Sequence, residues 1–118
     1  MVTFIEYPKC GTCRKARKWL AENDIEYESR HIVEDTPSKS ELKSLYERSE
    51  LPLKRFFNTS GNSYRKGNFK DRLPEMSEDE ALDELAADGM LIKRPILVTD
   101  DGILVGFKED KYADLLLD

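Results

Sequence analysis

The chain has 118 residues, 19 Lys and Arg against 24 Asp and Glu, a formal net charge of −5, and hydrophobic residues at 39%. That length supports one domain with a single core that needs no disulfide staple, and the acidic balance argues against general affinity for nucleic acid. No apolar run opens the sequence as a signal segment would or approaches membrane-spanning length, so a cytoplasmic protein without a membrane partner is expected.

Val2 to Tyr7 is rich in β-formers and reads as a buried first strand that Pro8 ends. Cys10-Gly11-Thr12-Cys13 follows and holds both cysteines of the chain. An amphipathic helix then runs to about Asn23, with Ala16, Trp19 and Leu20 on its inner face. Asn23-Asp24 breaks it before Ile25 to Ile32, where Ile25, Tyr27 and Ser29 alternate with Glu26, Glu28 and Arg30 as in a half-covered strand. Strand, helix and strand within this span form a βαβ unit.

Ser38 to Glu41 has the S-x-x-E form of a capping box and predicts a helix through Leu42, Leu45 and Tyr46 that ends near Ser49. Leu53, Phe56 and Phe57 share a spacing that predicts a short further helix. Asn58 to Tyr64 is rich in turn residues and reads as a loop placed to supply binding groups. Ser77 to Glu80 repeats the capping box, and Gly89 is expected to end the following helix in a left-handed conformation. Ile92 to Val98 and Ile103 to Phe107 flank Thr99-Asp100-Asp101-Gly102, a hairpin signal. Tyr112, Leu115 and Leu116 place a closing helix over Lys108 to Leu117. The pattern predicts a thioredoxin-like α/β mixed sheet, βαβ then β-hairpin and helix, with a helical insertion. Its core is expected at about 1–35 and 90–118 and the insertion at about 36–89.

Two thiols spaced C-x-x-C at a strand-to-helix junction point to redox chemistry. Unpaired N–H groups at a helix start carry partial positive charge and favour a thiolate, which makes Cys10 the candidate nucleophile. Cys13, one turn on, is placed to reach back and form a disulfide. A structural zinc site needs about four ligands, and outside the pair the chain offers only His31 among Cys and His, so no metal is expected. Cys13 taken alone also fits an ordinary buried position, in step with Ala16 and Leu20. Lys9, Arg14, Lys15, Arg17 and Lys18 crowd the motif. Arg14 is the cation among them placed to favour the thiolate or an anionic substrate, whereas Lys15 and Lys18 fit a solvated helix face. Thiols of a cytosolic protein stay reduced unless they cycle, so an external thiol reductant is implied and no bound cofactor.

The run Tyr7-Pro8-Lys9-Cys10-Gly11-Thr12-Cys13-Arg14-Lys15-Ala16, the segment Leu91-Ile92-Lys93-Arg94-Pro95-Ile96, and Val105-Gly106-Phe107-Lys108-Glu109-Asp110 together resemble the ArsC/Spx family over nearly the whole chain. The resemblance implies a cis Arg94-Pro95 bond beside the nucleophile. It implies that Cys10 attacks an oxidised substrate, that Cys13 or an external thiol resolves the adduct, and that Arg94 stabilises the thiolate or an anion. Gly11, Thr12, Arg14 and Pro95 would line the substrate site, the N–H groups from Gly11 to Arg14 cradling an anion.

The family's arsenate reductases hold their oxyanion with three arginines. Arg94 matches one, whereas the other two positions fall at Asn58 and near Phe107-Lys108. An oxyanion held by one guanidinium is bound more weakly, since each charged hydrogen bond contributes about 1.5–3 kcal/mol. The expected activity is therefore thiol-disulfide exchange on a small thiol or protein disulfide, with glutathione or the thioredoxin system as reductant. The Spx-like alternative is a redox-switched regulator that contacts the C-terminal domain of the RNA polymerase α-subunit.

Overall fold

A computed structural model describes residues 1–117. It divides into two compact units, one built from residues 1–31 and the described chain from residue 94 onward, the other from residues 32–93.

The first unit carries a mixed four-stranded sheet in the order β2-β1-β3-β4, with β1 Thr3–Glu6, β2 Glu28–His31, β3 Ile96–Val98 and β4 Ile103–Val105. β1 runs parallel to β2 and antiparallel to β3, and β3 and β4 form the hairpin. Helix α1, Gly11–Glu22, connects the parallel pair. Phe4, Ala16, Leu20, Leu97 and Tyr112 form a fully buried cluster, with Val2, Trp19, Leu104 and Phe107 packed against it. Strand alternation therefore turns Phe4 and Glu6 toward α1, since residues two apart share a face. This is the thioredoxin-like arrangement that the pattern predicts.

The second unit is helical. Ser38 and Ser77 each cap a helix by the reciprocal bonds of a capping box, starting α2, Lys39–Ser49, and, further along the chain, α5, Glu78–Ala87. Between them lie α3, Asn62–Lys66, and α4, Phe69–Arg72. Phe57, Tyr64 and Phe69 meet ring to ring, the Tyr64–Phe69 pair stacked with centroids 5.9 Å apart.

Several segments depart from the sequence expectation. Only Glu28–His31 of the second segment is strand, because β1 offers four residues for pairing and Asp24, with φ of 54°, and Ile25, bonded to the Leu20 carbonyl, still belong to the helix exit. Ile92 pairs with Phe57 inside the helical unit, and β3 begins only after Pro95, which has no N–H to give a ladder. The short helix expected around Leu53 to Phe57 is present as a single 3₁₀ turn over Leu53–Phe56. Asn62–Lys66 is helical where turn residues predict a loop, with Tyr64 buried on Phe57 and Phe69 overriding local preference. Gly89 does not adopt a left-handed conformation. Its need is for space, since a Cβ there would lie 2.2 Å from the Ile32 carbonyl oxygen. The closing helix, α6, spans Glu109–Leu116. No helix among the described residues is long and apolar enough to cross a membrane.

Candidate active site at the thiol pair

β1 ends at Glu6, and the chain turns through Tyr7, Pro8 and Lys9 so that the Cys10 N–H donates to the Tyr7 carbonyl at 3.0 Å. Cys10 then serves as the N-cap of α1. Its backbone is extended, its carbonyl accepts the Arg14 N–H at 3.0 Å, and its Sγ accepts the Cys13 N–H at 3.4 Å. A sulfur here does the work usually done by a serine or aspartate oxygen, so the helix start is satisfied best when that sulfur carries negative charge. Both cysteines are free thiols, Cys10 half-buried and Cys13 fully buried.

Burial raises the proton affinity of Cys10. Hydrogen bonds from the Cys13 side chain, the Cys13 N–H and the Arg94 guanidinium outweigh it, with help from the Arg94 charge, and hold the thiol below its ordinary value of 9.0. Burial drives Cys13 the other way, up to about 12. A backbone hydrogen bond at Tyr7 opposes this, while Cys10 and the Glu6 charge reinforce it. The motif thus contains one thiol suited to be a nucleophile and one held protonated.

Arg94 reaches the site from two residues before β3, across a cis bond to Pro95. Its guanidinium carbon lies 5.3 Å from the Tyr7 ring centroid, and the Tyr7 ring in turn meets His31 edge-on at 5.7 Å. Pro95 is buried, and its carbonyl accepts the Gly106 N–H at 2.8 Å, which fixes the start of β3 against the end of β4. Cys10, Cys13 and Arg94 therefore come together. Gly11, Thr12 and Arg14 are exposed on the first turn, and a Cβ on Gly11 would meet nothing within 4 Å. Of the four N–H groups from Gly11 to Arg14, those of Cys13 and Arg14 are already bonded to Cys10, so an anion finds only those of Gly11 and Thr12.

The two positions matched to further arginines do not supply a clamp. Phe107 packs its ring edge-on against Tyr112 at 4.8 Å, within the core of the first unit. Lys108 is the N-cap residue of α6, and its exposed side chain makes no capping hydrogen bond. Asn58 lies in the helical unit, its N–H bonded to the Leu91 carbonyl at 2.8 Å.

Sequence reasoning missed Glu6 and Tyr7 as individual site residues. Glu6 is 6% exposed on β1 and forms an ion pair with Arg17 of α1, while Ser29 Oγ donates to its other oxygen at 2.9 Å. Arg17 also reaches the Pro8 carbonyl at 3.5 Å, which ties the loop before Cys10 to the helix after it. An acid alone in an otherwise apolar opening run was the available signal, and a buried acid needs such partners.

The sheet, the first helix and the thiol pair at its start define a thioredoxin-like protein of the kind that carries a C-x-x-C motif after its first strand. More narrowly, the chain belongs to the ArsC family, which residues 5–115 match. It is 58% identical over 113 residues to the uncharacterized protein YusI of Bacillus subtilis, covering 96% of each chain. It is 33% identical to the global transcriptional regulator Spx of Listeria innocua, covering 98% of this chain and 87% of that one. Among solved structures, an ArsC family related protein from Bacteroides fragilis superimposes with a TM-score of 0.94 at 48% identity, covering 97% of this chain and 96% of that one. A possible arsenate reductase from Streptococcus mutans does so with a TM-score of 0.89 at 47% identity, covering 98% and 97%.

Proposed function

We propose that the protein is a thiol-disulfide oxidoreductase with Cys10 as nucleophile and Cys13 as resolving thiol. The Cys10 thiolate attacks one sulfur of a small or protein disulfide, the substrate S–S bond breaks, and the departing thiolate takes up a proton. Cys13 then loses its proton and attacks the Cys10 sulfur. The second substrate thiolate leaves, and the two electrons gained by the substrate remain as a Cys10–Cys13 disulfide. An external thiol of the glutathione or thioredoxin type returns the pair to its reduced form, and no bound cofactor is required. Arg94 stabilises the Cys10 thiolate, Gly11 and Thr12 offer N–H groups to an anionic part of the substrate, and Arg14 and Pro95 border the approach.

The observation that carries this reading is the opposite proton affinity of the two sulfurs across one helical turn. Arsenate is a poor candidate substrate, since Arg94 stands without arginines at 58, 107 and 108. The test is reduction of a mixed disulfide under turnover. Cys10→Ser abolishes it, whereas Cys13→Ser accumulates a protein-bound mixed disulfide visible by intact mass. An active Cys10→Ser protein sinks the mechanism.

A second reading is supported by the 33% identity to Spx over 98% of this chain. In it the same disulfide switches binding to the C-terminal domain of the RNA polymerase α-subunit. Pull-down with that domain under oxidising and reducing conditions decides it, and binding absent in both states removes it.

A further inference from the structure

The outer surface of α1 carries more positive charge than its place in the fold explains. Lys9 precedes the helix, and Arg14, Lys15 and Lys18 lie on it, all four exposed. The chain is acidic overall, yet the first turn of α1 contains no acidic residue, and cations there oppose the helix dipole. Among the described residues none of these four forms an ion pair or a side-chain hydrogen bond. The other cations of this region are engaged, Arg17 with Glu6 and Arg94 with Cys10 and Tyr7.

Spacing places this charge beside the reactive sulfur. Cys10, Arg14 and Lys18 recur every four residues and so run along one strip of the helix, with Gly11 and Lys15 on the next. Gly11 leaves the ground between the strips open, since nothing lies within 4 Å of where its Cβ would be. A chain approaching Cys10 over Gly11 would therefore pass between rows of unpaired cations. Such a surface favours an approaching anion and disfavours a cation, and it does so over about the Debye length, roughly 10 Å at 0.1 M salt.

We propose that Lys9 and the exposed face of α1 form a docking surface for acidic protein segments, so that the disulfide attacked by Cys10 is one flanked by Asp and Glu. This rests on the thiol-exchange reading above and names its substrate class. In the exchange, the Cys10 thiolate bonds to the segment's cysteine sulfur, the segment's S–S bond breaks, and its former partner leaves as a thiol after taking a proton.

Two peptides test the proposal, each with one cysteine blocked as a 2-pyridyl disulfide, flanked by Glu in one and by Lys in the other. Attack by Cys10 releases pyridine-2-thione, read by absorbance in a single turnover that needs no recycling. The Glu peptide reacts faster by about tenfold at low salt, and the ratio falls toward one as salt rises. Lys15→Glu with Lys18→Glu reduces the ratio by about fivefold or more and leaves the rate with an uncharged pyridyl disulfide unchanged. Equal rates for the two peptides, or a preference that survives the charge reversal, overturn the docking surface. Turnover of a neutral disulfide with no peptide preference leaves the oxidoreductase standing without it. A retained single-turnover preference with no turnover overturns the enzyme reading instead.

Discussion

The Cys13 N–H donates to Cys10 Sγ at 3.4 Å, so the second residue of the pair helps lower the proton affinity of the first while burial in the core raises its own. The fold obtains this asymmetry by using Cys10 as a helix cap and Cys13 as part of the buried helix face. One sulfur is thereby partly exposed and polarised, and the other is buried in the core.

Arg94 is the part of this arrangement that comes from a distant stretch of chain. Replacing it with Gln removes both a charged hydrogen bond and a Coulombic contribution that lower the Cys10 proton affinity. Alkylation of Cys10 by iodoacetamide across pH is expected to shift its midpoint upward in Arg94→Gln. Tyr7→Leu, which removes the ring beneath the guanidinium, shifts it in the same direction by less. An unchanged midpoint in Arg94→Gln contradicts the assigned role.

The buried thiol makes a separate prediction about stability. Cys13 titrates at about 12 in the folded chain against an ordinary 9.0. Because the folded value is raised, its contribution is fully present below about pH 9 and is lost as pH rises toward about 12. Reduced wild-type protein should therefore lose stability to urea over that window. Cys13→Ala should lose less, the remainder coming in part from Tyr112, whose proton affinity burial also raises. Parallel curves for the two proteins are the opposing result.

Legibility in the sequence followed the range of the interactions involved. The capping boxes at Ser38 and Ser77 are satisfied within four residues and read directly, as does the thiol pair at its strand-to-helix junction. The ends of β2 and β3 were not legible, because they depend on how many residues β1 offers and on Pro95 delaying the ladder. Asn58 to Tyr64 looked like a loop because its composition says nothing of the Phe57 and Phe69 rings that Tyr64 packs against. At the site, Cys10 and Cys13 could be chosen by residue type and spacing, and Arg94 through the family resemblance alone. The use of Glu6 could not, since Arg17 and Ser29 become its partners only when α1 and β2 fold over it.

Gly89 offers a test inside the helical unit. A Cβ there would meet the Ile32 carbonyl oxygen at 2.2 Å and Thr36 Oγ1 at 3.0 Å, the first being backbone that cannot rotate away. Gly89→Ala should cost about 1–3 kcal/mol, as overpacking does, measured by urea denaturation. Its φ is not in the left-handed region, so the cost comes from space alone. Gly11→Ala, which meets no neighbour, is the control and should change stability little.

The ion pair between Glu6 and Arg17 links the sheet to α1 directly behind the thiols, and its value can be separated from its geometry. Arg17→Met keeps an aliphatic stem but leaves the Glu6 carboxylate buried with Ser29 as its remaining hydrogen-bond donor. Removing one partner of a buried pair costs about 3–5 kcal/mol, and the partial exposure of the Arg17 side chain places this case near the lower end. Adding Glu6→Gln to Arg17→Met removes the stranded charge, so the double variant should be more stable than Arg17→Met alone. Because the Glu6 charge also raises the Cys13 proton affinity, Glu6→Gln by itself should move Cys13 downward and speed resolution of a mixed disulfide at neutral pH. Urea midpoints for the three variants and the decay rate of a trapped mixed disulfide in Glu6→Gln measure the two effects independently. A double variant no more stable than Arg17→Met would mean that water reaches the carboxylate and that the pair holds the loop through Pro8 rather than through charge.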